Sequence, residues 1–276
     1  MRWGMPVSLT AWVHALPEGT LWNKDWLFIA AAVSAGYLLF SEKAPASAKM
    51  KFLLGIWLYC LCWGSPLYLL SHLMFSVHMF KMSVLYFFVP PLLLSGLPAG
   101  AAARLMKAAG AGPLSKPAAA AAAFNGLFLL YHVPAVMEQV MIRPLLHAFF
   151  HALLFASSVP MWLAAAVGAA GPGEAGKQYM RLNMRILMPA CLLLVASLIR
   201  YEHFADPVRQ MAVVGVCFPA AAGLAAESFA QLLPFPRMPS AFDHQLGGAL
   251  MLAAHRLSFG LAHLLLKTRF KVMSNL

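Results

Sequence analysis

The 276-residue chain is 62% hydrophobic and only 11% charged, with a mean hydropathy of +0.74. A soluble domain of this length needs far more polar surface, so the composition excludes that class and predicts an integral membrane protein. The net charge of +11 would favour nucleic-acid binding in a soluble protein. Here the basic residues are spread through short loops, which is the pattern that controls topology, and no nucleic-acid partner is expected.

Seven apolar runs are each near the length that a helix needs to cross ~30 Å of hydrocarbon. They cover residues 21–40, 50–69, 73–95, 117–133, 145–168, 183–200 and 245–266. The runs predict an all-α fold, a polytopic integral membrane bundle of seven transmembrane helices that forms one membrane domain over residues 1–276. A long outer loop is expected at 201–244. The lipid bilayer is therefore an expected partner, and the expected location is the cell membrane, as a multi-pass protein.

The distribution of lysine and arginine predicts the orientation. Twelve of the twenty lie in segments 41–51, 96–117, 169–185 and 267–276, six lie in the intervening segments, and two lie within spans. The positive-inside rule then places the N-terminus outside and the C-terminus in the cytoplasm, which fits an odd number of spans. Residues 210–233 are apolar enough for an eighth span, but that span would move the basic tail outside. A re-entrant or interface-lying segment is the preferred interpretation.

On this topology, eight of the ten histidines fall on the outer side or at outer helix ends. A histidine in or near a bilayer is costly to bury without a partner, so a one-sided group of them suggests a site. Several have methionine neighbours, and imidazole beside thioether is ligand chemistry suited to copper, above all Cu(I). The eight are His14, His72, His78, His132, His147, His151, His203 and His244.

Two pairs of candidate copper ligands share a helix face, because their members are four residues apart. His147 and His151 lie near the start of the predicted fifth span, and His78 and Met82 lie on the third. Each pair also has an ordinary alternative. Two interfacial histidines can simply be hydrogen-bonded to neighbouring helices, and a methionine at helical spacing is often packing material.

The other histidines are weaker candidates. His72 and His132 lie at the predicted outer ends of the third and fourth spans, as supplementary ligands or as polar tips in the headgroup layer. His203 and His244 fall in the long outer loop, where solvated histidines are the ordinary expectation, although Glu202 or Asp243 could orient an imidazole. The predicted seventh span carries one further histidine in its middle, too far from the last histidine of the chain to share a metal.

The remaining features are structural or negative. Cys191 and the other cysteines of apolar segments are interpreted as small core residues. Lys81 is expected to snorkel to the outer interface, and Pro90-Pro91 is expected to break or bend the third helix before its cytoplasmic end. The sequence contains no GxSxG, HExxH or glycine-rich phosphate loop. The chain is therefore not expected to be an enzyme.

Four motifs occur in order over most of the chain: HMFKMSVLYFFVPPLLLSGLP (78–98), LLYHVPAVME (129–138), LLHAFFHALLFASSVPMW (145–162) and FDHQLGGALM (242–251). Together they resemble the CtaG family, the multi-span assembly factors of caa3-type cytochrome c oxidase. That family is described as seven-span, the number that the charge count gives independently. The resemblance implies a role in maturing the oxidase, through copper delivery or insertion, with cytochrome c oxidase subunits as partners.

The resemblance also implies which residues form the site. Those that occupy family motif positions are His78, His132, His147, His151 and the segment 243–245. Met82 departs from the pattern, because many members have a second histidine there, and this favours a mixed His/Met site. His244 stands where the family motif more often has glutamine, and it either adds a ligand or has no role.

The main hypothesis is a membrane assembly factor that acts as a copper chaperone from a His/Met site on its outer face. Its metal ligands would be His78, Met82, His147 and His151, supported by His72 and His132. Two alternatives stay open. One is a haem-b-binding redox protein, with His78 and either His147 or His132 as axial ligands. The other is a copper transporter, although the lack of repeats and of intramembrane acids disfavours proton coupling.

Overall fold

The computed structural model describes residues 21–111, 116–170, 175–196, 198–206, 209–210 and 238–273. Every regular element in these ranges is helical, as the sequence predicts. His14, Cys217 and nearly all of the 210–233 segment lie outside the described residues, so the interpretation of that segment stays a prediction.

The helices follow one another with short connections. In chain order they are α1 Lys24–Phe40, α2 Ala46–Gly64, α3 Pro66–Leu73, α4 Phe75–Ser83, α5 Val89–Gly96, α6 Ala99–Ala111, α7 Pro117–Tyr131, α8 Pro134–Met141, α9 Pro144–Ala170, α10 Ala175–Val195, α11 Glu202–Ala205 and α12 Ser240–Met273. A π-helical turn at Val84–Phe88 joins α4 to α5, so the two form one continuous stretch.

Three stretches of the described chain are long and apolar enough to cross a bilayer: Phe75–Gly96, Pro144–Val167 and Ser240–Leu266. The number rises to five if α2 with α3 and α7 with α8 each count as one bent span, with bends of 55° and 77°. The described residues are thereby confirmed as all-helical, with three to five helices that are long and apolar enough to cross a membrane. The count of seven and the orientation of the termini are not confirmed, since α1 has only 17 residues and α10 is interrupted by basic side chains.

The Phe75–Gly96 stretch is the innermost span of the bundle. Its α4 half packs against α12, its α5 half packs against α2, and α9 and α10 complete the contacts around α12. The core between them is strongly aromatic, with Phe87 in edge-to-face contact with Phe124, Phe128 and Trp162. Large apolar side chains such as Phe28 and Leu145 are exposed on the outside of the bundle, as lipid-facing residues are.

The proline pair was expected to break or bend the third span, and the structure shows no break there. Because proline lacks an N–H, Pro90 and Pro91 remove both helical donors that could reach the carbonyl of Tyr86. Trp162 of α9 replaces them, since its indole N–H donates to that carbonyl at 2.8 Å. The irregularity lies just before the prolines, in the π-helical turn, whose backbone bonds span one extra residue.

The second predicted span is not one continuous helix. Its run at 50–69 divides at Ser65, whose hydroxyl accepts a hydrogen bond from the Leu67 N–H at 3.3 Å and so caps α3. Pro66 occupies the first turn of α3, where its missing N–H costs nothing. His72 therefore lies near the end of α3 and not at the start of the third span.

The outer loop is also shorter than predicted at its far end, because α12 already begins at Ser240. Asp243 in its first turn does not orient an imidazole. Its carboxylate accepts hydrogen bonds from the N–H groups of Phe75 and Ser76, at 2.7 and 3.0 Å, and from the Ser76 hydroxyl at 2.5 Å. The residue at the N-cap of α4, Met74, offers no side-chain acceptor, so α12 caps α4 from outside.

Candidate functional site

Three imidazoles converge at the end of the bundle that is predicted to face outward. The ring centroid of His147 lies 4.2 Å from that of His151, one turn further along α9. It lies 5.4 Å from the ring centroid of His72 on α3. All three side chains are buried. We refer to His72, His147 and His151 as the histidine cluster.

Two tyrosines contact the candidate histidines, and one of them, Tyr131, lies between the histidine cluster and His78. The hydroxyl of Tyr86 shares a hydrogen bond with Nδ1 of His151, and the hydroxyl of Tyr131 shares one with Nε2 of His78 at 3.1 Å. The ring centroid of Tyr131 lies 5.9 Å from that of His78 and 5.8 Å from that of His151. His78 and His151 are therefore neighbours across a single aromatic ring.

Hydrogen bonds to backbone carbonyls fix the tautomers of two of these histidines. Nδ1 of His72 donates to the carbonyl of Tyr68 at 2.9 Å, and Nδ1 of His132 donates to that of Phe128 at 2.7 Å. A carbonyl can only accept, so Nε2 of each neutral ring keeps its lone pair. This is the form in which a histidine binds a metal, with the outer nitrogen oriented by a second partner.

Several ring nitrogens near this end have no hydrogen-bond partner among the described residues. Four such atoms are buried and unbonded: Nδ1 of His78 and Nε2 of His132, His147 and His151. A buried polar atom without a partner costs roughly 1–3 kcal/mol, so such atoms require an explanation. A cation bound between the rings would explain these atoms, because it would accept lone pairs that no protein donor uses.

Lys81 does not snorkel to the interface, contrary to the expectation from the sequence. Its side chain is fully buried, and its Nζ lies 4.9 Å from the centre of the Tyr68 ring and 5.1 Å from that of Trp63. Aromatic faces are negative, so they stabilise the ammonium. Trp63 also packs edge-on against His151, at 4.9 Å, which places the cation beside the histidine cluster.

The two loop histidines are buried, so the prediction that they are solvated is wrong. Nε2 of His203 donates to the carbonyl of His72 at 3.2 Å. Nε2 of His244 accepts a hydrogen bond from the N–H of Tyr201 at 3.0 Å, and the hydroxyl of Tyr201 donates to the carbonyl of His132 at 2.7 Å. The segment 198–206 thus covers this end of the bundle.

Burial has an electrostatic consequence for His203, which lies outside the membrane spans. Desolvation lowers the pKa of His203 to about 4. The hydrogen bond to the His72 carbonyl opposes this shift, and the nearby Arg209 guanidinium adds to it. His203 is therefore neutral at neutral pH and is charged only in strong acid.

The structure sorts the predicted site residues by how closely they meet. His72, His147 and His151 are in ring contact, and His78 is one ring away. His132 is the C-cap residue of α7, and its ring centroid lies 5.6 Å from that of Tyr131. Met82 is buried one turn beyond His78 on the Phe75–Gly96 stretch. No three His, Cys, Asp or Glu side chains in the described ranges form a ready-made metal site. The two candidate donors in closest contact are His147 and His151.

The aromatic side chains that hold the imidazoles in place were not predicted from the sequence. Tyr68 precedes His72 by four residues, and Tyr86 follows Met82 by four, so helical spacing was a usable signal for both. Trp63 and Tyr131 gave no such signal, because neither lies four residues from a predicted ligand. The contact of Cys191 with a histidine of α12, at 3.8 Å, was also not predicted.

Fold and site together define a helical membrane protein that buries a histidine cluster at one end of its bundle. Residues 26–270 match the family model described as cytochrome c oxidase caa3 assembly factor (Caa3_CtaG). The chain therefore belongs to the CtaG family, which confirms the resemblance seen in its motifs. No curated protein and no solved structure matches the chain. Family membership indicates a role in oxidase assembly, in association with oxidase components.

Proposed function

We propose that this protein supports copper delivery to caa3-type cytochrome c oxidase through the histidine cluster, and that it does so without catalysis. One observation carries the proposal: the imidazoles of His147 and His151 are both buried with their ring centroids 4.2 Å apart, and Nε2 of each has no hydrogen-bond partner among the described residues. Neutral imidazoles with available lone pairs are good ligands for copper. In this proposal copper is the cargo of the protein, which receives it and passes it on.

The arrangement of donors in pairs suits transfer. Cu(I) is a soft ion that binds imidazole and thioether, and ligands can be exchanged one at a time with a partner. In this proposal His147 and His151 bind first, with His72 in reach, while His78 and Met82 form the next pair inward. His132 supports the inner pair at the end of α7.

The buried ammonium of Lys81 fits the same role. Its positive charge lies beside the rings and opposes a second cation in a medium of low dielectric constant. The site is then expected to hold copper weakly enough for release to the oxidase. A site built for storage would have a carboxylate in this position.

The test is a Cu(I) titration of the purified protein in detergent, under anaerobic conditions, against a chromophoric Cu(I) chelator. The double variant His147→Ala, His151→Ala is expected to lose the copper bound at the histidine cluster, because both primary donors are gone. The control is His263→Ala, since position 263 lies far along α12 from the cluster. Full retention of copper by the double variant would overturn the site assignment.

A second readout addresses the role in assembly. When the double variant is co-expressed with the oxidase, the subunits are expected to accumulate with less copper, measured by elemental analysis of the isolated oxidase. Normal copper content would contradict delivery from this site. The haem alternative has its own signature, a Soret band in the purified protein, and a transporter would move copper into sealed vesicles without any oxidase.

A further inference from the structure

A second group of soft donors lies deeper in the bundle, where α10 crosses α12. The two helices approach closely at Gly248, since a Cβ atom there would lie 2.8 Å from Cβ of Leu194 and 3.0 Å from the carbonyl oxygen of Cys191. Only glycine permits this approach. The crossing therefore fixes the position of Cys191 against the face of α12 that carries residues 248, 251 and 255.

At this crossing Sγ of Cys191 lies 3.8 Å from Nδ1 of His255. Both side chains are buried, and Nδ1 is the ring nitrogen of His255 that contacts the sulfur. The thiol also contacts the carbonyl of Leu187 at 3.5 Å, one turn back on its own helix. His255 lies eleven residues beyond His244, so the pair is roughly 16 Å deeper along α12.

The distance between sulfur and nitrogen fits a bridging cation. With metal–sulfur and metal–nitrogen bonds near the zinc values of about 2.3 and 2.0 Å, a separation of 3.8 Å corresponds to an angle of about 120° at the metal. That angle leaves room for a third ligand in the same plane. Met251 is fully buried one turn before His255 on the same helix face, and it can supply a thioether.

We propose that Cys191, His255 and Met251 form a second copper site, specific for Cu(I), in the interior of the bundle. Binding replaces the thiol proton of Cys191 by one Cu(I), and the proton is released to the solvent. One thiolate and one monovalent cation have no net charge, so the complex is compatible with a low-dielectric core, whereas a divalent ion would leave a net charge there. Thiolate, thioether and imidazole are ligands that select Cu(I).

The packing also connects the two sites. The ring of Phe128 lies 4.4 Å from the ring of His132 and 5.9 Å from that of His255. His132, at the end of α7, is thus separated from the deeper pair by one aromatic side chain. The deeper site does not depend on the histidine cluster for its ligands, so each site can be present without the other.

The experiment is the anaerobic Cu(I) titration combined with X-ray absorption of the copper-loaded protein. Cys191→Ser is expected to lower the stoichiometry by one Cu(I) per chain and to reduce the sulfur scattering around copper. Cys60→Ser is the matched control, because Cys60 is another buried cysteine of the described chain with no histidine contact in the structure. It is expected to change neither quantity.

A second variant covers the case in which Cys191→Ser does not fold. Gly248→Ala keeps every ligand but separates the helices at the crossing, and it is expected to weaken the deeper site at least tenfold. Unchanged stoichiometry and unchanged sulfur scattering in a folded Cys191 or Gly248 variant would overturn the proposal. Loss of copper in the His147→Ala, His151→Ala variant alone would support only the outer site, and loss in the Cys191 variant alone only the deeper one.

Discussion

Single side chains near the histidine cluster show how strongly burial depends on the tertiary environment. Lys81 is buried because the rings of Tyr68 and Trp63 replace the water around its ammonium group. His203 is buried because the carbonyl of His72 accepts its N–H. In both cases the partner lies on another helix. Lysine in particular is almost never fully buried unless it is paired.

The pKa of His203 leads to a prediction about acid. A histidine whose pKa is lower in the folded state than in the unfolded state binds fewer protons when folded, so stability falls as the pH falls. For His203 the loss occurs between its ordinary value of 6.5 and about 4. Amide hydrogen exchange of residues 198–206, corrected for intrinsic rates, is expected to speed up over this window. In His203→Gln that local pH dependence should disappear, and its persistence would assign the effect to other groups.

Helices in this bundle rely on neighbouring elements for hydrogen bonds that they cannot make alone. The start of α4 is capped by Asp243 of α12, and the carbonyl of Tyr86 is bonded by Trp162 of α9. Inside a membrane no water is available to do either, so each missing bond would be costly. This is the physical reason that a π-helical turn and two prolines are tolerated in the innermost span.

Trp162→Phe tests the second of these bonds. The substitution keeps an aromatic ring in the core but leaves the Tyr86 carbonyl without a donor, which is expected to cost about 1–3 kcal/mol of stability. Thermal unfolding in detergent should show a clear decrease in the Tm. Trp57→Phe is the control, because Trp57 is partly exposed on the outside of the bundle and makes no such bond in the described structure. Equal effects of the two changes would refute the assigned role.

The packing of the whole bundle depends on a few close helix approaches. A Cβ atom at Gly96 would lie 2.6 Å from both Cβ and the backbone nitrogen of Phe52, so α5 and α2 are in near-backbone contact there. Tyr37 of α1 reinforces the junction, since its hydroxyl donates to the Gly96 carbonyl at 2.7 Å. Small residues at such crossings are typical of membrane helices, whose association depends on close packing.

Gly96→Ala is therefore expected to destabilise the bundle by about 1–3 kcal/mol, because the added methyl group meets backbone atoms that cannot move independently. Gly36→Ala is the matched control, since a Cβ atom at that position meets nothing within 4 Å. Alanine also has the higher helix propensity, so this control should be neutral or slightly stabilising. Unfolding temperatures of the two variants in the same detergent decide the question. A Gly96 variant as stable as the control would contradict the assigned close contact.

Sequence reasoning was most successful where the signal is local. Apolar runs predicted helices in a membrane, the pair His147 and His151 was identified by its spacing of four, and the end of α7 was expected before Val133-Pro134. It was wrong where the outcome depends on a neighbour. The burial of Lys81 and the continuity of the helix at the proline pair were not predicted, because the partners, Trp63 and Trp162, lie on other helices.

The sequence by itself determined the class of protein, the positions of most helices, the family and the types of ligand available, because hydropathy, helical spacing and motif order are properties of short segments. Only the tertiary structure decided which histidines meet. The order and rotation of helices around a bundle are set by long-range packing, as at Gly248 and Gly96, and no local pattern encodes them. The contact of His72 with His147, and of Cys191 with His255, follows from that packing.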